Sequence, residues 1–507
     1  MSVPTACVIG VDIGTYEAKG VAVDETGTVL ASAVHAHTLS APRPGFAEHD
    51  ADEVWWRGFV AIVSALLSDD RVRGRSIAAV ACSGIGPCVL PIDAQGAPLR
   101  PAILYGIDTR ATDEIAELTD RVGDDAIVAR SGNLLSSQSA GPKIAWLRRH
   151  EPEVHARARM FVTCQSYLVG RLTGEWVMDH ATAGYFHPFY DLAARRWDTA
   201  GFHDIVDESR LPRLAWSTDV VGTVTADAAA QTGLPVGTPV LAGSADAPAE
   251  ALSAGVRHAG EMMLMYGSSH FLIEVVDEPI VGTRLYTAPY LFEGTYVLAG
   301  GTSTAGSATR WLARLMGRDT AADPGAFADL AAEAASSPPG ANGLLMLPHF
   351  SGERTPHDDP HLVGGILGLT LAHSGADVYR ALLEGIAQSA CDAIAEFDRV
   401  GRPPTRIAAV GGGTRNHVWM QAISDISGRA QHVVEGAGAS FGDAMLAALA
   451  VGFVAGREDL GAWVRERGTC DPQPQHAALY REQSSRLAAF RAATASLTHP
   501  ESESDWS

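Results

Sequence analysis

The sequence predicts an α/β protein of more than one domain, and three observations carry that expectation. The chain has 507 residues, 46% hydrophobic and 19% charged, which at about 100–200 residues per domain is enough for two to four cores. Apolar residues alternate in two separate stretches, one opening each half of the chain, as they do in half-buried strands. Several later apolar runs end in glycine-rich turns that lead into helical patterns, the mark of α/β units.

Taken in order, Ala6 to Ile13, Gly20 to Val23 and Thr28 to Val34 read as three antiparallel strands, the last two joined by Asp24-Glu25-Thr26-Gly27. A helix is expected from Asp52, read as its cap, through Trp55, Phe59, Ile62 and Leu66, followed by a strand from Ile77 to Cys82. This β-β-β-α-β order differs from a Rossmann opening, in which strand and helix alternate from the start. Helical patterns dominate from about Asp108 to Gly174, and the apolar run Pro239 to Ala242 leads into Gly243-Ser244-Ala245-Asp246. Hairpins return between Gly260 and Val276 and at Thr295 to Gly301, with a helix from Ala305 to Met316. A helix from Asp377 to Phe397, a strand at Ile407 to Val410, and helices from Asn416 and Asp443 complete the pattern. The division expected is 1–250, 251–485 and a polar, frayed tail at 486–507.

Composition narrows the function. Lys and Arg number 38 against 59 Asp and Glu, a net charge of −21. No basic field exists to hold a nucleic acid or an anionic membrane, so neither is an expected partner. No apolar run approaches the ~18 residues that cross a bilayer, and the first residues lack the pattern of a secretory signal. The six cysteines form no C-x-x-C pair and read as reduced thiols, which together point to the cytoplasm. An anionic ligand would have to be held locally, by backbone amides, a few cations and a metal ion.

Several short constellations meet that requirement. Asp12-Ile13-Gly14-Thr15 ends a buried strand, with Lys19 close after it: glycine lets the backbone approach a ligand, and Asp12 offers a carboxylate to a metal or water. A tight turn with a capping Asp is the competing reading. Gly243 to Asp246 repeats the arrangement, with Asp246 placed either as a general base or as a helix cap. Gly267-Ser268-Ser269, Gly300 to Gly306 and Gly411-Gly412-Gly413-Thr414-Arg415-Asn416 are glycine-rich turns, the second opening a helix whose free amides could face a phosphate. None is a dinucleotide fingerprint or a P-loop. Gly438-Ala439-Ser440-Phe441-Gly442 fits a nucleophile elbow in form but has no suitable acid and histidine downstream. His357-Asp358-Asp359-Pro360-His361 has metal-ligand residue types, but Pro360 breaks any helix that would align the histidines, so a solvated loop is expected.

Together these residues resemble the FGGY carbohydrate kinases. The resemblance is carried by Asp12 to Thr15 with Lys19, Gly141-Pro142-Lys143-Ile144-Ala145-Trp146, Gly243 to Asp246, Ser351-Gly352-Glu353-Arg354-Thr355-Pro356-His357, and Gly364 to Leu369 through Glu384. It covers about residues 6 to 480, and the Ser351 to His357 stretch is especially similar to the xylulokinase branch. It implies two ribonuclease-H-like domains of the actin, hexokinase and Hsp70 type, with ATP and Mg2+ in the interdomain cleft. It further implies Asp12 as the residue that orients magnesium, with Gly14, Thr15 and Lys19 in the first phosphate loop. Gly267, Ser268 and Gly306 would line the phosphate tail, Gly412, Gly413 and Asn416 the adenosine. Asp246 matches the general base, and Asp108 and Gly84 fall at the sugar.

The activity expected is therefore transfer of the γ-phosphate of ATP to a terminal hydroxyl of a small ketose, D-xylulose first. Ribulose, another ketose or a polyol is the same-class alternative. A nucleotide-driven, actin-like ATPase and a serine hydrolase acting through Ser440 are alternatives of other classes. The segment Cys82-Ser83-Gly84-Ile85-Gly86-Pro87-Cys88 departs from the Met-His pair usual in xylulokinases, and a homodimer is left open. This arrangement requires Asp12 and Asp246 to meet across the cleft.

Overall fold

The computed structural model describes residues 5–320, 323, 325–436 and 438–498, with side chains to residue 495. Two seven-stranded sheets organise the chain. The first contains β1 (Ala6–Ile13), β2 (Glu17–Asp24), β3 (Val29–Ala36), β4 (Ser76–Gly84), β5 (Val220–Thr223), β6 (Pro239–Leu241) and β7 (Ser244–Ala245). Its order is β5-β6-β4-β1-β2-β3, with β7 also paired to β4. The second contains β8 (Glu261–Tyr266), β9 (His270–Val276), β10 (Tyr286–Pro289), β11 (Tyr296–Gly301), β12 (Arg406–Val410), β13 (Gln431–Glu435) and β14 (Arg465–Cys470), in the order β10-β11-β9-β8-β12-β13-β14.

The two sheets share one plan. In each, three antiparallel strands (β1-β2-β3 and β8-β9-β11) are extended on the far side of the first strand by parallel ones, β4 and β6 in the first, β12 and β13 in the second. This is the ribonuclease-H-like order expected twice over.

Alternation along the strands explains the layers. In β1, Cys7, Ile9, Val11 and Ile13 join one core with Phe59, Ile62 and Leu66 of α1 (Arg57–Ser68), while Val8 faces the opposite core. That second core also holds Ala251 and Leu252 of α2 (Asp246–Ser253), residues 444–448 of a later helix, and Met263, Ile273 and Val410 of the second sheet. The outer face of the second sheet, with Met262, Leu264 and Leu298, packs on α4 (Gly375–Arg399) and α5 (His417–Ser427), which follow α3 (Gly306–Leu315). The later helix is α6 (Ala439–Ala450). Thus α2 and α6 lie between the two sheets, and α6 packs on β1 and β4 although it comes from the end of the chain.

Some expected boundaries move. Asp50, not Asp52, caps the first helical stretch by accepting hydrogen bonds from the amides of Asp52 and Glu53; Asp52 instead accepts from the Tyr167 hydroxyl at 2.6 Å. A π-helical segment, Ala51–Trp56, precedes α1. The helix expected from Asp443 begins at Ala439. The segment read as a frayed tail begins inside α7 (Ala477–Thr498), where Leu487 is buried; residues 499–507 lie outside the described residues. All six cysteines are free thiols, and among the described residues no helix is long and apolar enough to cross a membrane.

Candidate active site

The acidic residues gather where three strands of the first sheet end. β7 pairs in parallel with β4, and β4 with β1, so Ser244, Ser83 and Asp12 lie side by side in register, followed by Ala245, Gly84 and Ile13. Ligand sites of parallel sheets lie at such carboxyl ends. Asp246 follows Ala245 directly, so its backbone stands about 12 Å from that of Asp12, two strand spacings across and two residues along. Both carboxylates therefore belong to one sheet. Both fall inside the expected 1–250 division and come together at strand ends of that sheet, not on opposite walls of the cleft; the second sheet brings the glycine turns.

Asp246 is the first residue of α2, and Ala245, not Asp246, occupies the cap position. Its Oδ1 accepts a hydrogen bond from the amide of Ala247 at 2.8 Å. Burial raises its pKa well above the usual carboxylate range, and the negative charge of Asp12 raises it further. Asp12 is also raised by burial, opposed by the Ser83 hydroxyl 3.2 Å from its Oδ1. Lys19 and Glu250 act on Asp12 with opposite signs.

The turn after β1 supplies the other expected groups. Gly14 packs against the Glu17 carbonyl, which a β-carbon would approach to 3.0 Å. The Thr15 hydroxyl lies 3.1 Å from that of Tyr105, and Lys19, half exposed, pairs with Glu17 at 2.7 Å. A surface pair of this kind contributes about 0–1 kcal/mol, so Lys19 is available to an incoming phosphate at little cost. Tyr105 is held from behind by Lys143, whose buried ammonium donates to the carbonyls of Leu104 (2.7 Å), Tyr105 (3.0 Å) and Ser137 (2.6 Å). Burial lowers the Lys143 pKa to about 8, while three carbonyl acceptors match the three donors of its charged form.

The glycine turns of the second sheet pack on one another, and one reading of them changes. The α3 amides are not free: those of Ala305 and Ser307 donate to the Ser268 carbonyl at 2.9 and 3.0 Å, and that of Gly306 to the Gly267 carbonyl at 3.0 Å. The two turns thus brace each other, and a β-carbon at Gly306 would come within 2.6 Å of the Gly267 oxygen. Gly411 and Gly413 pack on Tyr266 at the end of β8, which joins the third turn to the first. Gly412 has open space around it, while the Asn416 side chain is engaged in capping α5 through the Trp419 amide at 3.1 Å.

Two residues expected at the sugar are held tightly by their surroundings. Asp108 has a fully buried side chain whose oxygens accept from the Ala47 amide (2.7 Å), the Arg110 amide (3.1 Å) and the Arg110 guanidinium (2.7 Å). These bonds anchor the 105–110 loop through Asp108. At Gly84 a β-carbon would lie 2.6 Å from the Cys164 sulfur, so packing explains the glycine. The groups that feel the Asp246 charge include the Tyr105 and Tyr185 hydroxyls, the Cys88 and Cys164 thiols and the Asp443 carboxyl.

The alternatives resolve locally. Ser440 lies in α6, where Gly10 and Gly442 permit close packing: a β-carbon would sit 2.0 Å from the Ser440 carbonyl oxygen at Gly10 and 1.9 Å from that of Ala249 at Gly442. The glycines of the apparent elbow serve helix packing. His357 approaches Asp392 at 3.8 Å, and the amides of Glu353 and Asp359 bond each other's carbonyls at 2.8 Å. Among the described residues, no group of three or more His, Cys, Asp and Glu side chains could hold a metal ion by itself. Asp12 fits a magnesium ion that keeps most of its waters and takes its remaining ligands from phosphates.

Ser83 and Asp443 were not singled out from sequence. The Ser83 hydroxyl links Asp12 to Asp443, lying 2.7 Å from Asp443 Oδ2. Both carry a readable signal: Ser83 is the polar residue that ends an apolar strand, and Asp443 is the single charged residue in α6.

Comparison with known proteins settles the family. The N-terminal domain model of the FGGY family of carbohydrate kinases matches residues 7–253, and its C-terminal domain model matches residues 262–451. The chain belongs to this family. It is accordingly a sugar phosphotransferase. It is 30% identical over 499 residues to the xylulose kinase of Staphylococcus epidermidis, covering 97% of each chain. The crystal structure of xylulose kinase from Rhodospirillum rubrum superposes with a TM-score of 0.90 at 35% identity, covering 97% of this chain and 100% of that one. The gluconokinase of Bacillus subtilis is 26% identical over 434 residues, 83% of each chain. Xylulose kinases and a gluconokinase are therefore both relatives of this FGGY chain.

Proposed function

We propose that this FGGY kinase transfers the γ-phosphate of ATP, with magnesium, to a terminal hydroxyl of a small ketose, D-xylulose first. The observation that carries the reading is the placement of Asp12 and Asp246 at the ends of two strands that flank β4, with different surroundings. Asp246, raised in pKa and close to the Tyr105, Tyr185 and Cys88 side chains, accepts the proton of the attacking sugar hydroxyl. Asp12, beside the Thr15 and Lys19 turn, orients the waters of the metal; magnesium, when bound, supplies charge neutralisation to the phosphates.

The residues divide the remaining work. As the sugar oxygen bonds to the γ-phosphorus and the bond to ADP breaks, Lys19 and the amides of the 14–15 turn offset the charge on the transferred group. Residues 1–250 carry the sugar and this turn; residues 251–485 carry the nucleotide at the Gly267–Ser268, Gly306 and Gly412–Gly413 turns. Similarity to xylulose kinases over nearly the full chain supports a ketose, whereas the gluconokinase relative keeps sugar acids among the alternatives.

A panel of ketoses, polyols and sugar acids, assayed by ADP release, tests the reading. Release strictly dependent on D-xylulose is the expected outcome. Equal release without any sugar would contradict it, and preference for gluconate would move the substrate class.

A further inference from the structure

Ser83 stands between two carboxylates. Its Oγ lies 2.7 Å from Oδ2 of Asp443 and 3.2 Å from Oδ1 of Asp12. A serine hydroxyl has one hydrogen to donate, so it cannot serve both as a donor. Both contacts become hydrogen bonds only if one of the two carboxyls is protonated: the chain runs either from an Asp443 O–H through Ser83 to Asp12, or from an Asp12 O–H through Ser83 to Asp443. The surroundings of Asp443 select the first. Its side chain is wholly buried on a helix otherwise built of Ala, Ser, Phe, Gly, Met and Leu, and its Oδ1 has no partner. An ionised carboxylate would leave that oxygen charged and bare in the interior.

The geometry of the layers makes this contact specific. Asp12 and Ser83 lie on the face of the first sheet that receives α6, two residues beyond Gly10 and Ala81 of the same strands. A β-carbon at Gly10 would lie 2.6 Å from the Ala444 nitrogen and 3.0 Å from the Asp443 β-carbon, so the helix passes directly over the strand that ends in Asp12. The Ser83 to Asp443 bond joins residues 360 apart in sequence. It connects a helix within the C-terminal family match to a strand within the N-terminal one.

We propose that Asp443 is a positioning residue which, through Ser83, fixes the Asp12 carboxylate in the orientation that a magnesium-bound water requires. The inference rests on the role given to Asp12 above. It means that the metal end of the site is completed only when a helix from the far end of the chain has docked.

The test reads magnesium dependence of ADP binding by calorimetry on the full chain, with sugar kinetics beside it. Ser83→Ala and Asp443→Ala are expected to raise the magnesium concentration needed for tight ADP binding about tenfold, the usual scale for groups that orient a metal ligand. Binding of ADP without metal and the KM for sugar stay near wild type. Asp443→Asn, whose side-chain amide restores a donor to Ser83, is expected to keep the wild-type magnesium dependence. Wild-type behaviour of Ser83→Ala, or an Asp443→Asn variant with a magnesium dependence shifted about tenfold, overturns the proposal. If Asp443→Ala does not fold, the near-isosteric Ser83→Ala and Asp443→Asn decide it alone. Asp12→Asn separates the two readings. If that variant leaves magnesium dependence unchanged, the assignment of Asp12 fails and the positioning role with it. If it shifts the dependence while Ser83→Ala does not, only the positioning role fails.

Discussion

At the scale of the residue, Asp246 gives activity and stability opposite pH dependence. Its folded-state carboxyl titrates above the 3.8 of the free side chain. Below 3.8 it is protonated both folded and unfolded, and burial carries no electrostatic penalty; above its folded-state pKa it is ionised in both states and the penalty is complete. Stability is therefore lost as pH rises through that window, while activity, which needs the ionised base, is gained. The kcat/KM profile is expected to show an acid limb displaced above 3.8, and Asp246→Asn to raise the melting temperature at neutral pH. A lower melting temperature in that variant contradicts the account of its burial. The two principal carboxylates were legible because each ends an apolar strand beside a glycine. For Asp108 the sequence shows both the acid and Arg110 two residues on, but not that the guanidinium folds back onto the carboxylate.

At the scale of the element, close approach and buried anchors decide. Gly442 lets α6 cross α2, and Gly442→Ala is expected to destabilise the fold by about 1–3 kcal/mol through overpacking, measured by denaturant unfolding; an unchanged midpoint contradicts the packing. Lys143 holds the loop that carries Tyr105 from the rear. Lys143→Met strips three buried carbonyls of their donor, a loss of at least about 1–3 kcal/mol, and is expected to raise the KM for sugar more than the dissociation constant for nucleotide. Equal effects on both would assign Lys143 to general stability. Strands and helices were mostly readable from period and punctuation. What sequence could not show is which turns satisfy one another: the α3 amides look free until Gly267 and Ser268 are seen to accept from them. Nor does local pattern place α6 against β1, since that contact joins Gly10 to Ser440 and Ala444, more than 400 positions away.

At the scale of the whole molecule, the proposed function divides its duties between two sheets of one plan: Asp12 and Asp246 stand at the first, the nucleotide turns at the second. Such a division calls for closure to bring phosphate and sugar together and to exclude water as the competing acceptor. Small-angle scattering is expected to show a smaller radius of gyration with sugar and nucleotide together than with either alone; identical values in all states contradict closure. The repeated hairpin openings made the doubled architecture visible from sequence. The position of both carboxylates on a single sheet was not, because strand order across a sheet is a long-range property. The central claim, that Asp246 removes the proton from the sugar, is tested most directly by measuring sugar-dependent ADP release and nucleotide affinity in Asp246→Asn. The account predicts turnover lowered about 10²–10⁴-fold, the range for a general base, with ATP binding preserved; turnover at the wild-type rate would contradict it.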